Sequence, residues 1–301
     1  MPSTPKITPF LWFDNQAEQA ATFYAGLFPN SKIHSITRYG EAGRDVHKQA
    51  PGSVMAAAFQ LDGLAFVALN GGPAFTPNPS ISFHVTLTNE ADIDRVFACL
   101  SDGGEVLMPL QAYDFSPKYA WVQDRFGFTW QLSLGDAPQP LFPSLLFVGD
   151  QFGRAEEAIS LYTSVFPDSE VDMLVRYGRD NPSTEGKIMY SSVTLAGQRF
   201  SVMESNLDHR FTFSEAISLQ ITCETQEAVD HYWDKLSEGG DEKAQQCGWL
   251  KVKYGVSWQV VPAILPKLTG GPDAARAQRA TQALLQMKKI DIAELQRAYD
   301  Q

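Results

Sequence analysis

The sequence predicts an α+β fold built from four β-α-β-β-β modules, arranged as two domains in tandem and followed by a helical tail. Three observations predict it. Strand-type and helix-type apolar periods alternate in a fixed order along the chain. That order then restarts and recurs with its turn residues. A hairpin marks both halves: Tyr119 to Leu132 turns at Asp124 and Gly127, Gly248 to Val260 turns at Gly255, and both carry Trp-Gln, as Trp130-Gln131 and Trp258-Gln259.

Ile7 to Phe13 is a short apolar strand, and Asp14 or Asn15 is placed to cap the helix that follows. Ala17, Ala20, Ala21, Tyr24, Leu27 and Phe28 fall at helical spacing, and Pro29-Asn30 ends that run. Lys32 to Tyr39 alternates as a strand, and Glu41 to Ser53 reads as a polar loop. Val54 to Leu61 and Leu64 to Leu69 flank Asp62-Gly63, a two-residue hairpin signal. The second module begins at Ile81 to Leu87. A helix follows over Asn89 to Leu100, closed by Gly103-Gly104, and then come a strand over Glu105 to Leu110 and the marker hairpin.

Beyond Asp136 to Pro140 the pattern returns. Phe28-Pro29-Asn30-Ser31 recurs as Phe166-Pro167-Asp168-Ser169, Arg38-Tyr39-Gly40 as Arg176-Tyr177-Gly178, and Leu100 to Gly104 as Leu236 to Gly240. The expected domains are therefore 1–135 and 143–264, with 136–142 as linker and 265–301 as an amphipathic tail. In the tail, Asp291 and Glu294 have capping-box spacing.

With 301 residues, 44% hydrophobic and 20% charged, the chain has the makeup of a globular protein large enough for two cores. A net charge of −11 argues against nucleic acid or an anionic membrane surface as the main partner. No apolar run approaches the roughly 20 residues needed to span a bilayer, and Met1 to Lys6 leads into a strand without a signal-peptide apolar region. Three well-separated cysteines, Cys99, Cys223 and Cys247, read as free thiols. A cytoplasmic protein is expected.

In order and spacing, these modules resemble the vicinal oxygen chelate superfamily of glyoxalase I, extradiol dioxygenases and bleomycin-resistance proteins. Within it they are most similar to the PhnB-like, or 3-demethylubiquinone-9 3-methyltransferase-like, group. The residues that carry the likeness are Ile7 to Phe13, Phe23-Tyr24 with Phe28 to Ser31, Arg38-Tyr39-Gly40, Cys247 to Lys251, Gly255 to Gln259 and Gln286 to Ile292. The resemblance implies modules paired within each half around a glyoxalase/bleomycin-resistance-like cleft. It also implies metal-ligand positions on the first and last strands of each module.

His84 and Gln131 occupy two such positions by this resemblance, and the internal pseudo-symmetry adds Phe10 and Val67. The corresponding ring in the second half is Leu145, Ser201, Gln220 and Gln259. Only His84 is a good transition-metal ligand, so no cofactor is expected. A weakly held divalent metal on His84 and Gln131 is the alternative. Strand alternation puts Ser82, His84 and Thr86 on one face, and Thr129, Gln131 and Ser133 on another. Trp12 and Trp121, with Phe126 and Phe128, are candidate cleft walls. Glu204 aligns with Asn70, just beyond the ring, and Cys247 stands where the first half has Tyr119. A neutral, aromatic-walled cleft suits a small organic ligand.

The expected function is metal-free small-molecule binding, serving sequestration or resistance. The alternative is a glyoxalase-like lyase or isomerase with His84 as general acid/base; a third reading is a scaffold. No strand, glycine-rich turn and helix occur in sequence, so S-adenosylmethionine-dependent methyl transfer is not expected. The chain is either a monomer of two domains or a homodimer.

Overall fold

The computed structural model describes residues 6–41, 43–44, 48–271 and 273–301. Met1 to Pro5 and part of the loop anticipated over Glu41 to Ser53 lie outside them.

The first module holds β1 (Ile7–Phe13), α1 (Ala17–Leu27), β2 (Lys32–Arg38), β3 (Val54–Leu61) and β4 (Leu64–Asn70). The second holds β5 (Ile81–Leu87), α2 (Glu90–Ser101), β6 (Glu105–Tyr113), β7 (Ser116–Gln123) and β8 (Thr129–Leu134). The third holds β9 (Leu141–Phe147), α3 (Ala155–Val165), β10 (Glu170–Arg176), β11 (Ile188–Leu195) and β12 (Gln198–Glu204). The fourth holds β13 (Ile217–Cys223), α4 (Gln226–Ser237), β14 (Trp249–Lys251) and β15 (Ser257–Pro262). The tail forms α5 (Leu265–Thr269), α6 (Ala274–Leu284) and α7 (Ile292–Asp300).

The elements follow the sequence pattern, but the partners of the modules do not. One sheet, here sheet A, runs β14-β15-β13-β1-β4-β3-β2, and sheet B runs β10-β11-β12-β9-β5-β8-β7-β6. The first module therefore pairs with the fourth, through antiparallel β1 and β13. The second pairs with the third, through antiparallel β5 and β9. Pairing within each half, which the resemblance implied, is not what forms. The connections give the reason. Only six residues, Gly135 to Pro140, join β8 to β9, and such a short linker keeps successive modules in one sheet. The longer segments after β4 and β12 change sheets.

Modules adjacent in sequence stack face to face. The helix-bearing faces of the two sheets share one core, in which Phe66 of sheet A meets Phe83 of sheet B with ring centroids 5.0 Å apart. Tyr24 of α1 reaches Trp130 of β8, centroids 5.0 Å apart, and both side chains are fully buried. Each such side chain contributes about 1.5–3 kcal/mol by burial.

The turn between β7 and β8 adds a polar clamp. Asp124, 3% exposed, accepts at Oδ2 from the Tyr24 hydroxyl (2.7 Å) and Trp130 Nε1 (2.8 Å), and at Oδ1 from the amides of Phe126 (2.8 Å) and Phe128 (3.1 Å). The second half has the same turn, with Val252 N donating to Val256 O and Gly255 N to Val252 O, but Val252 stands where Asp124 stands. There the Tyr162 hydroxyl and Trp258 Nε1 are buried with no acceptor outside the pair among the described residues.

Helix α1 is not capped by Asp14 or Asn15. Its first amide, Ala17 N, donates to Asn70 Oδ1 at the end of β4 (2.8 Å). The tail docks on its own chain. Cys247 N donates to Met287 O and Gly248 N to Lys288 O, both at 2.8 Å, so residues 287–288 cover the edge where the fourth module lacks a counterpart of β6. The Asp291 carboxylate accepts from Glu294 N (2.8 Å), the cap anticipated from sequence. Among the described residues, no helix is long and apolar enough to cross a membrane.

Candidate functional site

Each sheet has one helix-free face, and the two differ. On sheet B, alternation along β5, β8, β9 and β12 directs Ser82, His84, Gln131, Ser133, Phe142, Ser144, Arg199 and Ser201 to that side. Registers fix the neighbours: His84 lies opposite Gln131 and Phe142, Ser144 opposite Ser82 and Ser201. The side chains form one polar strip. Tyr119 Oη donates to Gln131 Oε1 (2.8 Å). Gln131 Nε2 donates to the hydroxyls of Ser82 (2.7 Å) and Ser144 (3.2 Å), and Ser201 Oγ donates to Ser144 Oγ (2.7 Å). His84 Nε2 is 2.8 Å from Ser133 Oγ.

A stack borders the strip. His84 lies on Phe142 with centroids 4.8 Å apart and planes 7° apart, and the Arg199 guanidinium sits 4.3 Å from the same Phe142 ring. Loss of solvent pushes the His84 imidazole down to about 4, helped by the Arg199 charge. Burial raises the Tyr119 phenol, which stays a hydrogen-bond donor.

On sheet A the helix-free face is aromatic. Phe10, Trp12 and Trp249 meet edge-on, with centroids 5.7 Å apart for Phe10–Trp249 and 6.1 Å for Trp12–Trp249. Trp12 Nε1 donates to Gly72 O (2.7 Å), and the indole crosses Gly71 so closely that no Cβ fits there. Val67 pairs with Phe10, and Gln220 with Gln259, whose amide donates to Ser218 Oγ (2.9 Å). An ion pair on this face joins Lys251 to Glu215 at 3.1 Å.

The first-half ring of Phe10, Val67, His84 and Gln131 is thus split. Phe10 and Val67 share sheet A with Gln220 and Gln259, while His84 and Gln131 share sheet B with Ser201. Leu145 faces the core opposite Ile81, and Ser144 takes its place on the helix-free side.

Comparison with known proteins gives the family and the fold. The 3-demethylubiquinone-9 3-methyltransferase family matches residues 5–133 and again 139–261. A putative 3-demethylubiquinone-9 3-methyltransferase, PhnB protein, from Bacillus cereus is 41% identical over 42% of this chain and 98% of its own, with a TM-score of 0.39. The chain belongs to this family. Two larger structures share its fold. Glyoxalase I from Zea mays is 12% identical over 86% of this chain and 93% of its own, with a TM-score of 0.55. A putative dioxygenase from Bacillus subtilis subsp. subtilis str. 168 is 10% identical over 99% and 97%, with a TM-score of 0.50. No curated protein matches.

For this 3-demethylubiquinone-9 3-methyltransferase family member, the donor set does not fit the metal that a glyoxalase fold implies. No group of three or more His, Cys, Asp or Glu converges among the described residues. The oxygen and nitrogen donors placed beside His84 are the Ser133 hydroxyl and the Gln131 amide, and that amide is already spent on Tyr119, Ser82 and Ser144.

Two other expected cleft residues lie elsewhere. Glu204, 2% exposed, points to the helix-bearing side, where its carboxylate accepts from Ala155 N (3.0 Å) and Ile188 N (2.7 Å). It caps α3 as Asn70 caps α1, so the residue expected in the cleft has a structural role instead. Cys247 sits at the tail interface with its thiol donating to Leu284 O (3.4 Å), and burial raises the thiol. Trp121 does lie on the helix-free face of sheet B, opposite Gln131, and its Nε1 is buried without a partner.

Sequence reasoning placed Ser82 and Ser133 on the correct face but missed Phe142, Ser144 and Arg199. Every residue of β9 is buried, so it has no alternation to read. Arg199 stands one residue into its strand, next to the Gly197 turn.

Proposed function

We propose that the chain binds a small organic molecule on the helix-free face of sheet B without a resident metal, in a sequestering or protective role. The strip of hydroxyls, one amide and one imidazole, bounded by Phe142, Tyr119 and Trp121, carries this reading. It sets neutral polar groups against apolar walls, which is how small-ligand sites are built. With its conjugate acid near 4, His84 is a neutral hydrogen-bonding group at ordinary pH and a weak base. The methyltransferase name has no matching nucleotide-cofactor motif in this sequence.

The second reading is a lyase or isomerase in which His84 moves a proton with a weakly held divalent metal. The 2.8 Å approach of His84 to Ser133 favours it. Thermal-shift screens with small aromatic and dicarbonyl compounds, with and without chelator, separate the two. Stabilisation indifferent to chelator supports binding alone, whereas metal-dependent stabilisation abolished by His84→Ala supports the enzyme. Near-stoichiometric zinc, nickel, manganese or iron in the purified, untagged protein would overturn the metal-free reading.

A further inference from the structure

The two helix-free faces differ in the cation beside their centre. On sheet A, Lys251 holds Glu215 at 3.1 Å, and Lys32 lies out on the edge strand β2 opposite Gln60. On sheet B the cation is Arg199, and no carboxylate lies within ion-pair distance of it among the described residues. Its Nε donates to Ser192 Oγ (3.3 Å), its plane covers Phe142, and its two terminal nitrogens have no hydrogen-bond partner among the described residues. Asp172 makes no ion pair with it; that carboxylate accepts from Ser192 Oγ (3.2 Å) and from Thr194 Oγ1 (3.1 Å), the cross-strand neighbour of Arg199. The matching strand position in sheet A, two residues before Val67, is Ala65, so the fold itself does not require a cation here. In a chain of net charge −11, a guanidinium held flat beside a neutral strip without a direct ion pair among the described residues is a selective feature.

Resting on the proposed binding face, we propose further that its ligand is a small organic acid. The carboxylate sits on the terminal nitrogens of Arg199, and the body lies across His84 and the strip towards Trp121. A guanidinium anchored through Nε keeps its outer edge free for the two parallel N–H···O bonds that a planar carboxylate accepts. A neutral imidazole and uncharged hydroxyls beside it add no repulsion to an anion and supply donors to its oxygens.

The probe pair is benzoate and benzamide, which have the same shape and differ in charge. Nuclear magnetic resonance titrations follow the Trp121 Nε1–H signal in wild type, Arg199→Gln and Arg199→Lys, and the Arg199 Nε–H signal in wild type. The proposal expects benzoate to shift both signals saturably and to bind at least about tenfold more tightly than benzamide. It expects Arg199→Gln to erase that preference and Arg199→Lys to retain part of it. Equal affinity for the two probes, unchanged in Arg199→Gln, would sink the organic-acid inference and leave the binding face intact. Neutral aromatics that shift Trp121 while benzoate does not would do the same. No shift at Trp121 with either probe, or with any neutral aromatic, would overturn both. Circular dichroism of each variant shows that its fold is kept.

Discussion

Replacing Asp124 with valine copies into the first half what the second half already has at Val252. Four donors lose their acceptor: the Tyr24 hydroxyl, Trp130 Nε1 and two backbone amides. Each bond to an ionised acceptor is worth about 1.5–3 kcal/mol, and each buried donor left unpaired costs about 1–3 kcal/mol. Against this stands the release of a buried carboxylate, itself a cost of several kcal/mol. The net is a destabilisation of about 2–4 kcal/mol, or a Tm lowered by roughly 4–12 °C for a chain of this size. Burial raises the Asp124 carboxyl above its usual range, so the native state holds this proton more firmly than the unfolded chain does. Stability from this group is then greatest in acid and falls as the pH rises through the folded-state value. The gap between wild type and Asp124→Val should therefore narrow with rising pH. The reciprocal Val252→Asp places an acceptor between two orphaned donors, Tyr162 and Trp258, and should cost under about 2 kcal/mol, far less than an unpartnered buried carboxylate. Urea titrations followed by tryptophan fluorescence measure both. An Asp124→Val protein within about 0.5 kcal/mol of wild type would show that the clamp has no net value and that the reasoning is wrong.

Three further outcomes are expected. His84 is held at about 4 against an ordinary 6.5, so its contribution is complete above 6.5 and lost as the pH falls towards 4; by linkage this is at most about 3 kcal/mol, and His84→Gln should flatten the acid limb of the urea stability profile between those pH values. Gln131→Ala removes the centre of the strip on sheet B and should cost about 2–3 kcal/mol by denaturant titration, with a shifted Trp121 indole signal as its local readout. Gly71→Ala drives a methyl group into the Trp12 indole, so it should lose the bond to Gly72 O, destabilise by about 1–3 kcal/mol and change the tryptophan fluorescence of sheet A, leaving the sheet B face unaltered.

Much of the fold was legible because the signals involved are local. Alternation in Ile81 to Leu87, the Asp62-Gly63 turn and the Asp291 cap each depend on a few neighbouring residues, and each forms as read; Asp62 and Gly63 both take positive φ, as that turn requires. The α1 cap was misread because its acceptor, Asn70, comes from a strand 53 residues away. The candidate site was half legible for a related reason. Alternation assigned His84, Gln131, Ser82 and Ser133 to a face, but Ser144 and Phe142 lie in a strand buried throughout. Arg199 enters the site only through the β12–β9 pairing.

Which modules share a sheet was the least legible feature, and it decides which residues make a site. All four modules present similar first strands, and β1–β5 and β9–β13 junctions would satisfy as many backbone groups as the β1–β13 and β5–β9 junctions that form. Hydrophobic pattern alone leaves that choice open. Linker length and cross-sheet packing settle it together. Six residues between β8 and β9 hold the second and third modules side by side. The Tyr24–Asp124–Trp130 clamp fastens the first module to the second through their helix-bearing faces, a geometry that side-by-side pairing would break. The cation and the imidazole that distinguish sheet B thus come from opposite halves of the chain: His84 from the second module, Arg199 from the third. Duplication followed by divergence at Arg199 and Ala65 then leaves one face charged and the other aromatic, and the single chain carries two unlike surfaces on one scaffold.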